Sequence, residues 1–320
     1  MKTIEVKDKD LLVGEREKPQ IGDHEVLIKV KASGINRADI AQKNGLYPPP
    51  PGASDILGLE CSGIIEEVGK EVRSKKPGDE VMALLGGGGY AEYVTCPELH
   101  AIEKPKNLNW IEAAAIPEVF ATCWLNLFME ASMKAGDKVV FHAGASGIGT
   151  AGIQLAKTFG CESFVTAGTK EKIDFCINLG ASDGEVRSKD IFSKIKDWAP
   201  NGVDIILDPV GGNYFERNLE VLGIEGNLII IGLMGGAKTE LNLGLLMIKR
   251  QKIIGSTIRA RDEKTKNAVM TELSNKLIPH LEVGEIKPII HQSLPFEDCL
   301  EAHRIMESDE NIGKLILELD

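Results

Sequence analysis

The stretch richest in chemistry is HAGASGIGTAGIQLAK, residues 142–157, with glycines at 144, 147, 149 and 152. A short apolar run, KVVFHAG (138–144), leads into it. Apolar residues on helical spacing, Ile148, Ala151, Leu155, Ala156 and Phe159, lead out of it, with Gly160 as a stop. A strand that ends in a glycine turn and opens a helix gathers backbone N–H groups and the positive helix end at one point. That combination is a pyrophosphate site. Gly144 permits the tight turn, Gly147 and Gly149 let a phosphate approach the backbone, and Gly152 lets helix and strand pack closely. The spacing is G-x-x-G-x-G-x-x-G rather than G-x-G-x-x-G, so a merely tight turn is the competing reading. The flanking strand, helix and next βα unit favour a dinucleotide, lined by Gly144, Ser146, Gly147, Ile148 and Gly149.

The end of the next strand reports on which dinucleotide. A site for NAD usually carries an acid there, for the ribose 2′-hydroxyl. This chain has Gly168, followed by Thr169, Lys170 and Lys172, with Arg187 further on. A carboxylate would repel a 2′-phosphate, whereas a glycine with nearby cations accepts one. The expectation is NADPH, held by Gly168, Lys172 and Arg187; the competing reading of the cations is a solvated face.

The elements that must position this turn alternate in the middle of the chain. SFVTAG (163–168) reads as a strand, and TKEKIDFCINLG (169–180) as a helix with Thr169 as N-cap and Gly180 past its end. GVDIILDPVGG (202–212), GNLIIIGLMGG (226–236) and KIIGSTI (252–258) read as further strands. Such spacing predicts an α/β fold with a doubly wound parallel sheet. The first third is strand-like instead, in 24–35, 59–69 and 79–85. YPPPPGA (47–53) reads as a stiff loop and GGGGY (86–90) as a free-moving turn. A long helix and the strand-like 286–295 follow residue 260.

With 320 residues, two domains are expected. The net charge of −11 argues against nucleic acid or an anionic membrane as the main partner. Six cysteines stand apart, without a C-x-x-C pair, and read as buried thiols in a reducing compartment. No secretory signal or bilayer-spanning apolar run is read, so a cytoplasmic protein is expected.

The motifs NRAD (36–39), YPPPPGAS (47–54), LGLECSG (57–63), AAAIPE (113–118), the glycine turn, LIIIGLMGGA (228–237) and NIGKLILEL (311–319) occur in a telling order. As a set they resemble the medium-chain dehydrogenase/reductase superfamily, over essentially the whole chain. The resemblance is strongest to the zinc-independent quinone oxidoreductases, of the p53-inducible type. It implies a GroES-like β-rich substrate domain (1–120 and 261–320), an inserted Rossmann domain (121–260) and a cleft where they meet.

Zinc-dependent members carry a metal-binding His in Gly-His-Glu, where this chain reads Gly58-Leu59-Glu60. The Ile35-Asn36 region stands where they place a cysteine ligand. The expectation is therefore no zinc and no zinc-dependent alcohol oxidation. An acceptor that needs little activation, a quinone, suits such a site. On the substrate side the resemblance points to Tyr47, as hydrogen-bond or proton donor; its other reading is an aromatic that packs the proline-rich loop. Asn36 matches a contact near the nicotinamide or its ribose, and otherwise reads as a helix cap. Thr122, the loop Gly232, Leu233 and Met234, and the C-terminal Asn311 and Lys314 match further cofactor contacts. Asp39 reads as a structural cap or pairing residue and His142 as a satisfied core histidine. The expected activity is NADPH-dependent quinone reduction by a homodimer paired through a Rossmann sheet edge, GNLIIIGL or KIIGSTI. Reduction of enal or enone double bonds, and NADPH sensing with incidental catalysis, are the alternatives.

Overall fold

The computed structural model describes residues 1–188 and 190–319. The chain forms two compact units, one from Met1–Ala121 with Ile258–Asp320, the other Thr122–Thr257.

In the second unit six strands form one parallel sheet: Lys138–His142 (β1), Glu162–Ala167 (β2), Asp183–Val186 (β3), Val203–Asp208 (β4), Leu222–Ile230 (β5) and Lys252–Gly255 (β6). Their order across the sheet is β3-β2-β1-β4-β5-β6. This is the doubly wound order, and it reverses direction between β1 and β4. The central strands are apolar along their length because helices cover both faces. Val140, Phe164, Ile206 and Leu228 are accordingly buried in one core. Helices Gly147–Thr158 (α1), Lys170–Leu179 (α2), Ile191–Trp198 (α3), Gly212–Val221 (α4) and Leu243–Lys249 (α5) connect the strands. The hydroxyl of Ser146 caps α1 by accepting the Gly149 N–H at 3.1 Å. Thr169 caps α2, and Gly180 ends it at φ +133°. One expected edge strand is corrected: β5 is flanked by β4 and β6, so of the two segments expected at an edge KIIG alone is an outer strand. The four-residue β3 (DGEV) is too short and polar to stand out by periodicity.

In the first unit the main path runs through strands at 290–295, 314–318, 25–34, 60–68, 80–84 and 101–103. The C-terminal strand pairs antiparallel with 25–34, Ile316 opposite Gly34, which stitches the tail to the N-terminal part. The turn GGGGY is not free-moving, contrary to expectation. Gly87, Gly88 and Gly89 are buried. A Cβ on Gly87 would lie 2.4 Å from the Ser54 carbonyl oxygen, and one on Gly89 2.8 Å from Ser33 Oγ. The N–H groups of Gly88, Gly89 and Tyr90 donate to Ile56, Gly58 and Leu57. Glycine is there for close approach, not for mobility.

The reading that no apolar run could span a bilayer is also corrected. Among the described residues one helical run, Trp110–Glu130, is 21 residues long, and an 18-residue stretch of it has mean hydropathy 1.2 and is 78% buried inside the protein. That burial fits a core helix.

Candidate active site

In the second unit the glycine turn lies at the C-terminal end of β1, beside the point where strand order reverses. The glycines act partly as expected. A Cβ on Gly152 would meet Phe141 Cε1 at 2.4 Å, so this glycine does allow α1 to lie on β1. Gly144 is required by Val165 of β2, whose Cβ would be 2.6 Å away, while the left-handed residue of the turn is Ala143, at φ +56°. A Cβ on Gly149 would strike the Gly144 backbone at 2.3 Å. The turn is thus folded tightly onto the first turn of a twelve-residue helix, the shape of an anion cradle.

Gly168 follows β2. A Cβ there would be 2.9 Å from Arg187 Nη2, so the guanidinium lies directly over the glycine. The Arg187 N–H donates to the Ala167 carbonyl at 2.8 Å, which fixes the approach. Lys172 sits in the first turn of α2. The loop with Gly232, Leu233 and Met234 packs on the loop after β4. Gly232 abuts the Pro209 carbonyl, and the Met234 N–H donates to it at 3.2 Å. Leu233 and Met234 are exposed, at 56% and 47%. Thr122 is buried, with its carbonyl accepting from Asn126 Nδ2 at 2.8 Å. The adjacent Cys123 thiol donates to the Ile148 carbonyl.

A polar network at these strand ends was not foreseen beyond His142. The ring of His142 is bonded to Thr166 Oγ1 at 3.1 Å and Asn218 Oδ1 at 2.8 Å. Asn218 Nδ2 donates to Asp208 Oδ2 at 3.0 Å, and Asp208 Oδ1 accepts the Val210 N–H at 2.6 Å. Burial holds His142 toward its neutral form. The network therefore fixes the loop after β4.

In the first unit the candidate residues converge on a buried ion pair. Lys314 Nζ lies 2.6 Å from Glu60 Oε1, with both side chains enclosed. The ammonium also donates to Asn36 Oδ1 at 2.6 Å and to the Ile35 carbonyl at 2.7 Å. Asn36 Nδ2 donates to Glu60 Oε1 at 2.9 Å, and the Glu118 N–H donates to Glu60 Oε2 at 2.8 Å. Asn36 is the N-cap residue of the helix Arg37–Lys43, but its side-chain amide is turned to Lys314 and Glu60. Asn36 thus starts a helix, as one reading expected, and its amide is held from two sides. The ammonium of Lys314 is thus surrounded by three oxygens. Asn311 is separate from this cluster, with Nδ2 donating to the Gly313 carbonyl at 2.7 Å.

Asp39 caps as expected. Its carboxylate accepts the N–H groups of Asn36 at 2.8 Å and Gly58 at 3.0 Å, and the Tyr90 hydroxyl at 3.1 Å. Burial raises its pKa to about 6 against these donors. Burial, then the Glu60 charge, pushes the Glu118 carboxyl up to about 8. Glu118 Oε2 is enclosed without a hydrogen-bond partner among the described residues. Tyr47 lies under a cation, its ring centroid 5.4 Å from Arg259 Cζ. Sequence reasoning missed Glu60, Glu118 and Arg259 as members of this group. A glutamate inside the apolar LGLECSG was a visible signal for Glu60; nothing in STIRAR (256–261) set Arg259 apart from a surface arginine.

Comparison with known proteins agrees with this arrangement. Residues 22–106 match the model of the alcohol dehydrogenase GroES-like domain, and residues 147–275 that of the zinc-binding dehydrogenases. The quinone oxidoreductase of Homo sapiens is 31% identical over 301 residues, spanning 93% of this chain and 90% of that protein. The synaptic vesicle membrane protein VAT-1 homolog of Danio rerio is 30% identical over 328 residues, spanning 97% and 67%. Among solved structures, Escherichia coli quinone oxidoreductase complexed with NADPH superimposes with a TM-score of 0.87 at 28% identity, covering 99% of each chain. The apo JamJ enoyl reductase gives a TM-score of 0.88 at 26% identity, covering 100% of this chain and 99% of that one. The ordered motifs, the two sheets and these likenesses lead to one conclusion: the chain belongs to the medium-chain dehydrogenase/reductase superfamily, as an oxidoreductase that the zinc-independent quinone oxidoreductase type fits.

Proposed function

We propose that this oxidoreductase reduces a quinone with NADPH and without zinc. Dependence on a nicotinamide cofactor follows the superfamily; the phosphate preference, the acceptor and the lack of metal are the finer reading. The observation that carries it is Arg187 lying over Gly168, in a position where an acid would mark NAD. The residues fit the cofactor: the folded glycine turn cradles the pyrophosphate on α1, while Arg187 and Lys172 take the 2′-phosphate. Zinc does not fit. Leu59 is apolar and buried, and both oxygens of Glu60 are engaged by Lys314, Asn36 and the Glu118 N–H.

A bound nicotinamide supplies the hydride. The protein's share is positioning and exclusion of water. Asn36, its amide clamped by Lys314 and Glu60, takes the nicotinamide contact that the family resemblance implies. Tyr47 donates a hydrogen bond or a proton to the quinone oxygen. One hydride, carrying two electrons and one hydrogen, and one further proton together turn the quinone into the hydroquinone. Thr122, the loop 232–234 and Asn311 complete the cofactor's surroundings.

The likeness to an enoyl reductase favours a second reading, reduction of an activated C=C bond with the same cofactor. Turnover of purified protein with NADPH or NADH decides among these, against quinones and α,β-unsaturated aldehydes, with and without chelator. NADPH-selective, chelator-insensitive quinone reduction is expected. Faster turnover of enals replaces the acceptor; tight NADPH binding without turnover replaces catalysis by sensing. We further propose a cytoplasmic homodimer joined along β6, where Leu243, Met247 and Ile248 of α5 are exposed. Sedimentation of Met247→Glu against the parent tests that pairing.

A further inference from the structure

The first unit holds a cavity of about 510 Å³, lined among others by Ser54, Gly86, His100, Arg259 and Lys266. That is the size of small-molecule sites. Arg259 is only 3% exposed, and its Nε donates to the Gly86 carbonyl at 2.8 Å. Its Nη1 reaches the Tyr47 carbonyl at a long 3.5 Å. Nη2 has no hydrogen-bond partner among the described residues, nor has Nε2 of His100, a residue 4% exposed. No carboxylate is ion-paired with Arg259 among the described residues. A buried guanidinium with open N–H groups is costly unless an anion completes it. Burial depresses the pKa values of Arg259, Lys266 and His100, the last to about 4. Three nitrogen-bearing side chains thus share a partly enclosed space, with the Glu263 carboxylate acting on Lys266 and the Asp39 and Glu118 carboxyls on Arg259.

Glu17, Glu25 and Glu263 also line the cavity, so its wall is not uniformly positive. Glu25 already accepts the Gly22 N–H at 2.8 Å, and the lining Arg16 is paired with Glu5 and Asp55. Arg259, by contrast, keeps an open Nη2 among the described residues.

We propose that this cavity binds an oxyanion carried by the acceptor, a carboxylate or an ester phosphate, with Arg259 as its main contact and Lys266 and His100 beside it. The reading rests on the reductase function above and narrows its substrate to acidic acceptors. Because the Arg259 guanidinium lies on the Tyr47 ring, an anion held there brings the rest of the acceptor toward that phenol.

The test begins without turnover. Calorimetry of the full chain compares 1-naphthoate with neutral 1-naphthamide. The naphthoate should bind more tightly, and Arg259→Gln should reduce that preference roughly 10- to 100-fold. Lys266→Gln, at a half-buried position, should reduce it less and serves if the arginine variant fails to fold. Equal affinity for the two probes overturns the proposal. So does an unchanged preference in folded Arg259→Gln, or in Lys266→Gln where only that variant folds. A loss confined to NADPH affinity overturns it too, since the oxyanion would then be the cofactor's. Turnover follows, with 1,2-naphthoquinone-4-sulfonate against 1,2-naphthoquinone: the KM ratio should move against the sulfonate in Arg259→Gln. Naphthoate binding without turnover of any acceptor leaves the site standing and removes the reductase reading instead.

Discussion

Lys314 and Arg259 are both buried cations of the first unit, and they are completed in opposite ways. Lys314 has an ionised partner at 2.6 Å and two further oxygens around one ammonium. Arg259 has one good carbonyl contact, a long second one and an open Nη2. A compact ammonium can be enclosed by three oxygens from strand and loop ends. The planar guanidinium spreads its donors over a wider arc, and here the protein fills only part of it. The first arrangement is finished by folding and fixes Asn36. The second leaves work for a ligand.

The sharpest way to break this contrast is Lys314→Met. It strands Glu60 without its cation and should cost about 3–5 kcal/mol, read from the urea midpoint; adding Glu60→Gln should restore part of it. If the single variant is as stable as the parent, the pair is not what holds Asn36.

The neighbouring Glu118 gives a pH dependence of defined sign. Its folded pKa, about 8, is raised from 4.5, so its contribution to stability is complete below about pH 4.5 and is lost as pH rises to about 8. Asp39 adds the same sign between 3.8 and about 6. Glu118→Gln should flatten stability between pH 5 and 8, the range set by that raised value, in denaturation curves taken across the interval.

Arg187 supplies an exposed cation in the other unit for comparison. Arg187→Ala should lower the NADPH-over-NADH preference in kcat/KM by about tenfold, a charge-assisted contact's worth. Its stability should stay within about 0.5 kcal/mol of the parent. The smallest effect is expected for Arg259→Met, a shift under about 1 kcal/mol of either sign, because losing two carbonyl contacts is offset by relief of an incomplete buried charge. A loss as large as that of Lys314→Met would mean that Arg259 is already completed by the fold.

Much of the second unit was legible in the sequence because its signals are local. Thr169 and Gly180 bracket α2 through bonds within a few residues, and Gly152 allows helix and strand contact wherever the βα unit forms. Gly168 and Arg187 were readable together because parallel strands put successive strand ends side by side. In the first unit the same reasoning failed for 86–90. The glycines are identical in type to those of a loose turn, and only the walls at Ser33 and Ser54 reveal why they are needed.

By itself, then, the sequence determined the alternation of strands and helices, the cradle after β1 and the missing acid after β2, since propensity, periodicity and charge act over short ranges. Tertiary structure decided which cations would be completed. Lys314 is 278 residues from Asn36 and meets it only because the last strand pairs with 25–34. Arg259 reaches Gly86, 173 residues away, by the same kind of long closure. Whether a buried charge is satisfied depends on oxygen atoms delivered from distant segments to within 3 Å, and no local pattern of residues encodes that distance.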